Sequence, residues 1–191
     1  MLKENKQSLP TQNDQPDTFV IDGEIYHYIN GQYYDDQFCL LSKSVLIKVI
    51  QYRIKALDYK STPPDKIVLL IKECKENEIC SIAKYVCEQA LNLNIFNTKH
   101  VKTILPIYTS CCRKLNLPKE AISQSKEYLS IYPGAFSPAL DTSLAAAHCD
   151  IKDYKTAIKY ANRAYAQSHF LPPEDRKEIS LVYKRLKSKQ S

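Results

Sequence analysis

The segment of residues 152–164 reads KDYKTAIKYANRA and indicates the fold most clearly. Its three alanines, Ala157, Ala161 and Ala164, are spaced so that on a helix they lie along one stripe. A stripe of small side chains lets two antiparallel helices approach closely where they cross. The segment therefore predicts a helix that packs its alanine face against a neighbouring helix.

The same pattern recurs in two earlier segments, which align with residues 152–164 without gaps. Residues 78–90 read EICSIAKYVCEQA and residues 116–128 read NLPKEAISQSKEY. The small anchors are 38 and then 36 residues apart, at Ala83, Ala121 and Ala157. Four residues after each anchor comes another small side chain, in Cys87, Ser125 and Ala161. A helix pair cannot bury its apolar face alone, so pairs that recur at this period predict a stacked solenoid.

These segments resemble the tetratricopeptide repeat (TPR) family. Residues 144–148 followed by 152–164 look like its small-residue first helix, tight turn and tyrosine-then-alanine second helix. Residues 117–128 with Pro133 match the second helix and its terminal proline. The resemblance covers roughly residues 64–168 and implies three helical hairpins followed by a capping helix. The array is divergent, because the tight-turn glycine of the family is replaced by Glu78, Asn116 and Lys152.

Two turn signals near the N-terminus predict a small sheet. Asp22-Gly23 and Asn30-Gly31 supply the positive φ that two-residue hairpin turns require. Aromatic and β-branched residues flank both turns and favour strands. We expect a three-stranded antiparallel meander that packs on a helix, because so small a sheet is marginal alone. Its tyrosines are either core residues or a stacking surface for bases: Tyr26, Tyr28, Tyr33 and Tyr34.

The predicted fold is mainly α, a TPR-like α-solenoid of helical hairpins preceded by a short three-stranded antiparallel β-meander. The predicted segments are a disordered arm (1–18), the meander (19–41), a connecting helix (42–62), the TPR-like repeats (63–171), and a capping helix with a basic tail (172–191). Start and stop signals after Ser42 predict eight helices. Pro106 lies inside one of them, so that helix should bend or begin late.

Composition excludes several enzyme classes. The chain has three glycines in 191 residues, and none of the glycine motifs of Rossmann enzymes, P-loop NTPases or α/β-hydrolases can be written on it. Seven cysteines without a CxxC pair favour buried packing in a reducing cytoplasm, with no metal and no cofactor. The longest apolar run, residues 67–71, is too short for a membrane span, and the N-terminal residues are polar, so we expect neither a membrane span nor export.

In TPR arrays the first helix of each pair lines the concave face, where partners commonly bind. The resemblance implies that seven residues point to this face: Lys72, Lys75, Ser110, Arg113, Lys114, Ala146 and Cys149. Four of them are basic, so we expect a non-catalytic adaptor or regulatory module that binds an acidic peptide or helix of another protein. The alternative is a nucleic-acid-associated protein that also uses the basic terminal cluster Lys184, Arg185, Lys187 and Lys189.

One pair of residues suggests an enzyme. Arg163 and His169 are six residues apart, a spacing that resembles the RNase motif of HEPN-type helical nucleases. There the histidine would act as acid or base and the arginine would stabilise a phosphate oxyanion. The repeat alignment assigns Arg163 to a scaffold helix, so we expect no enzyme.

Overall fold

The computed structural model describes residues 17–171 and 173–188. Most of the predicted arm lies outside this range, but Asp17 and Thr18 belong to the first strand. Lys189 of the predicted basic tail also lies outside it. The described chain forms two compact units, one ending at Ala56 and the other beginning at Leu57.

The first unit contains the sheet and one helix. The antiparallel strands are β1 (Asp17–Ile21), β2 (Glu24–Ile29) and β3 (Gln32–Asp35), in the order β1-β2-β3, followed by helix α1 (Lys43–Lys55). Both predicted turns have positive φ at their two central residues, with 54° and 86° at Asp22-Gly23 and 50° and 84° at Asn30-Gly31. Two hairpins with such turns produce the predicted meander.

The sheet packs on α1 through Arg53. The guanidinium donates a hydrogen bond to the Tyr33 hydroxyl, and its carbon lies 5.2 Å from the ring centre of Phe19 and 4.8 Å from that of Tyr28. A cation held over aromatic rings is stabilised by their negative faces. Tyr26 and Tyr33 are buried, so these two tyrosines are core residues of the unit.

The second unit is entirely helical. Its helices are α2 (Pro64–Glu76), α3 (Cys80–Asn92), α4 (Thr98–Lys114), α5 (Pro118–Ile131), α6 (Pro138–Asp150), α7 (Tyr154–Gln167) and α8 (Pro173–Lys187). With α1 these are eight α-helices in the described residues, as the start and stop signals predict. None of the described helices is long and apolar enough to cross a membrane.

The turns at the ends of α2, α4 and α6 have one geometry. Glu78, Asn116 and Lys152 adopt φ of 61°, 60° and 64°. At each turn the next residue donates a backbone hydrogen bond five residues back, from Ile79 to Cys74, Leu117 to Cys112 and Asp153 to His148, at 2.8, 2.8 and 2.9 Å. This is a Schellman motif, which satisfies carbonyls left open at a helix end.

The repeated small residues lie inside the helical unit. The three anchors Ala83, Ala121 and Ala157 are fully buried. The small residues that follow them by four positions, Cys87, Ser125 and Ala161, are buried too. Where α4 meets α5 the contact is polar, because the Thr109 and Ser125 hydroxyls lie 2.8 Å apart. Buried hydroxyls need such a partner, so this crossing keeps its close approach without an unsatisfied group.

Contacts between the helices follow chain order. Each helix from α2 to α7 packs on the next one in the chain. The even-numbered helices also pack on one another, α2 on α4, α4 on α6 and α6 on α8. Helices further apart in this series make no substantial contact within the described residues. Among the described residues, each of these helices therefore packs on its neighbours in the chain, and only the even-numbered helices also pack on their next neighbours.

Helix α4 excludes one of the two effects expected of Pro106. The helix does not begin late, because it runs from Thr98 to Lys114 with Pro106 in its interior. Asn97 caps it, because its side chain accepts from the His100 backbone N–H and the His100 ring accepts from the Asn97 N–H. A capped first turn and close packing on four neighbouring helices outweigh the single hydrogen bond that the proline removes.

Candidate functional site

The predicted binding residues lie on two neighbouring helices. Lys72 and Lys75 are on α2, and Ser110, Arg113 and Lys114 are on α4, which packs against α2. On each helix the residues are three or four positions apart and share a face. The three lysines are exposed, whereas Ser110 and Arg113 are partly buried.

Arg113 forms an ion pair that the sequence pattern does not reveal. Its Nε donates to Asp150 Oδ2 at 2.7 Å, and this pair joins α4 to the end of α6. Lys72, Lys75 and Lys114 make no ion pair with any described residue. The lysines therefore remain available to a ligand, while Arg113 fixes one hairpin against the next.

Two residues expected on the open face are covered. Ala146 and Cys149 on α6 are 6% and 7% exposed, so neither offers a contact surface. Cys149 packs in a cluster with Leu186, which α8 supplies. Local sequence cannot show this, because the cluster includes a residue from a helix later in the chain. The available surface is thus formed by α2 and α4.

The Arg163–His169 pair is not a joint site in this structure. Arg163 donates two hydrogen bonds to Asp141, whose side chain is 2% exposed. These bonds raise the pKa of Arg163 and use its Nε and one of its terminal nitrogens. His169 instead meets the ring of Tyr165, at 6.4 Å between ring centres. Arg163 joins α7 to α6 through Asp141.

Paired carboxylates that sequence reasoning missed occur beside Lys84. Its Nζ lies 2.7 Å from both Glu88 and Glu120, and the buried Tyr108 hydroxyl donates to both carboxylates at 3.3 Å. Burial opposes the charge of Lys84, but the hydrogen bonds to the two glutamates outweigh it and raise its pKa. The hydrogen bond from Lys84 lowers the pKa of Glu120.

These shifts keep Lys84 and Glu120 ionised near neutral pH. A general acid or base works best with a pKa near the operating pH, and here the pKa values of the lysine and of Glu120 move away from it. The cluster joins α3, α4 and α5, which is a structural role. Its only sequence signal was the i, i+4 spacing of Lys84 and Glu88.

His148 is a core residue, as expected. Its Nδ1 lies 3.0 Å from Asp153 Oδ2, its ring stacks on Tyr160, and burial lowers its pKa. The six cysteines in helices are buried free thiols, whereas Cys39 is exposed. Across residues 17–171 and 173–188 no three His, Cys, Asp or Glu side chains are grouped to hold a metal ion.

Comparison with known proteins adds no relative. No protein-family model, no curated protein and no solved structure matches this chain. The contacts and charges of the chain itself therefore carry any functional proposal.

Proposed function

We propose that the helical unit is a divergent TPR-like solenoid, and that it is a non-catalytic module that binds an acidic peptide or helix of a partner protein. The observation that carries this proposal is the recurring turn with positive φ at Glu78, Asn116 and Lys152. The three turns have equivalent backbone hydrogen bonds, so the chain passes from the first helix to the second through the same turn geometry in each hairpin. Equivalent hairpins in succession are the building principle of a solenoid.

The helix contacts support a curved array with the first helices on the inside. The first helices α2, α4 and α6 pack on one another in succession. Within the same described hairpins, the second helices α3, α5 and α7 make no comparable contact with each other. A stack that is tighter along one side bends toward that side, and this gives repeat arrays their concave binding surface.

The charges of the α2–α4 surface support an acidic ligand. Lys72, Lys75 and Lys114 are exposed and have no carboxylate partner among the described residues. Complementary charges speed association and select partners, and screening by salt weakens them. The buried free thiols are in keeping with work in a reducing cytoplasm.

The test is a binding titration with a fluorescein-labelled oligoglutamate peptide. The charge reversal Lys72→Glu, Lys75→Glu and Lys114→Glu should weaken binding at low salt by about 10-fold or more. A matched reversal of three exposed lysines elsewhere, Lys119→Glu, Lys155→Glu and Lys177→Glu, should change affinity less than about 2-fold, although it alters net charge equally.

Two results would contradict the proposal. An equal loss in both triple variants would mean that the peptide follows net charge and has no site on α2 and α4. Tight binding of a single-stranded oligouridine RNA, with affinity falling steeply from low to moderate salt while the peptide fails to bind, would favour the nucleic-acid alternative.

A further inference from the structure

A pocket of about 480 Å³ lies between α5, α7 and the segment that precedes α6. Its helices are the second helices of their hairpins, so it is separate from the proposed surface on α2 and α4. The volume falls within the range of small-molecule sites. Leu129 and two aromatic rings make most of the lining apolar, while Ser130 and Thr156 add hydroxyls.

One wall of the pocket is an aromatic layer with a fixed cation. The Arg163 guanidinium lies over the rings of Phe136 and Tyr160, with its carbon 4.9 and 5.1 Å from their centres. Buried Asp141 holds the guanidinium in place through two hydrogen bonds. Phe136 is 44% exposed, so part of a large apolar ring faces solvent here. A wall that combines aromatic rings with a guanidinium held in place suits a flat ring.

The pocket lining also includes two lysines, Lys126 of α5 and Lys159 of α7. Both are exposed, and neither makes an ion pair with a described residue. No carboxylate is among the described residues that line the pocket. Arg163 is neutralised by Asp141, so the uncompensated charge is that of the two lysines.

We propose that this pocket binds an aromatic ring that carries a phosphate, with the ring against Phe136, Tyr160 and Arg163 and the phosphate at Lys126 and Lys159. The apolar wall alone would accept a neutral ring, and the lysines alone would accept any anion. Their juxtaposition selects a ligand that has both parts. Such a group occurs in free aryl phosphates and in the phosphotyrosine side chain of a peptide.

The experiment is an NMR titration of the whole chain with phenyl phosphate. Saturable binding with a Kd of about 1 mM is expected for so small a ligand. Inorganic phosphate and phenol, which each supply one part, should bind at least about 10-fold more weakly. Lys126→Ala with Lys159→Ala should weaken phenyl phosphate binding about 10-fold, and Phe136→Ala should weaken it without affecting inorganic phosphate.

The control is the double variant Lys119→Ala and Lys155→Ala, which removes one lysine each from α5 and α7 outside the pocket. It should bind phenyl phosphate as the parent does. An equal loss in the control, equal binding of inorganic phosphate, or no saturable binding would overturn the proposal. A phosphotyrosine peptide that binds much more tightly than phenyl phosphate and than its phosphoserine counterpart identifies a peptide ligand, and equal affinities identify a free aryl phosphate.

Discussion

Replacing Lys152 by glycine should stabilise the protein. Lys152 closes the turn between α6 and α7 with a φ of 64°. That region costs an ordinary L-residue roughly 1–2 kcal/mol. Glycine adopts it freely but loses about 0.5–1 kcal/mol more backbone entropy on folding. The net expectation is a gain of about 0.5–1 kcal/mol in the free energy of unfolding, or about 3 °C in Tm.

Urea unfolding followed by circular dichroism measures this gain, and two further variants calibrate it. Asn116→Gly in the equivalent turn should be nearly neutral, because asparagine already tolerates this conformation. Lys159→Gly, in the interior of α7, should cost about 0.7 kcal/mol. If Lys152→Gly lowers stability as Lys159→Gly does, Lys152 does not adopt the left-handed conformation, and the equivalence of the three turns is lost.

Three further changes probe the core and its ionised groups. Ala157→Leu should destabilise the protein by about 1–3 kcal/mol in thermal unfolding, since Ala157 is fully buried, whereas Ala166→Leu on the exposed side of α7 should not. Asp141→Asn should cost about 2–3 kcal/mol in urea unfolding, because the buried partner of Arg163 loses its charge; a double-mutant cycle with Arg163→Gln that shows no coupling would contradict this. Burial lowers the pKa of His148 in the folded state, so the unfolded state binds the proton more tightly. Its contribution to stability is present above the unfolded pKa of about 6.5 and is lost as the pH falls. His148→Gln should flatten the dependence of the urea midpoint between about pH 7 and pH 5, and an unchanged slope would refute the assignment.

Local signals explain why the sheet and the helices were predictable. Asp22-Gly23 and Asn30-Gly31 adopt a backbone that few other dipeptides adopt, so the sequence determines the hairpins at once. The buried anchors Ala83, Ala121 and Ala157 were found because the spacing along a helix decides which residues share a face.

The candidate sites were harder to predict because they depend on contacts distant in the chain. The sequence gives no sign that Arg113 forms an ion pair, because its partner Asp150 is 37 residues further along the chain. The resemblance places Cys149 on the open face, but it lies in a buried cluster that includes Leu186 of α8. The aromatic wall at Phe136 has no periodic signal at all, since this residue lies between helices. Hydrophobic periodicity shows which residues share a face of one helix. It does not show which side chains of different helices contact each other.

The buried thiols can report when each part of the helical unit opens to solvent. They are distributed over α2, α3, α4 and α6, and burial raises the pKa of Cys87 and Cys111. The thiolate attacks the alkylating reagent and displaces its leaving group, so each buried thiol reacts only after its surroundings have opened. The labelling rate of each cysteine, measured by mass spectrometry, would give the rate of local opening of each hairpin separately. Cys39 is exposed and serves as the reference, and no cysteine has to be engineered into the chain.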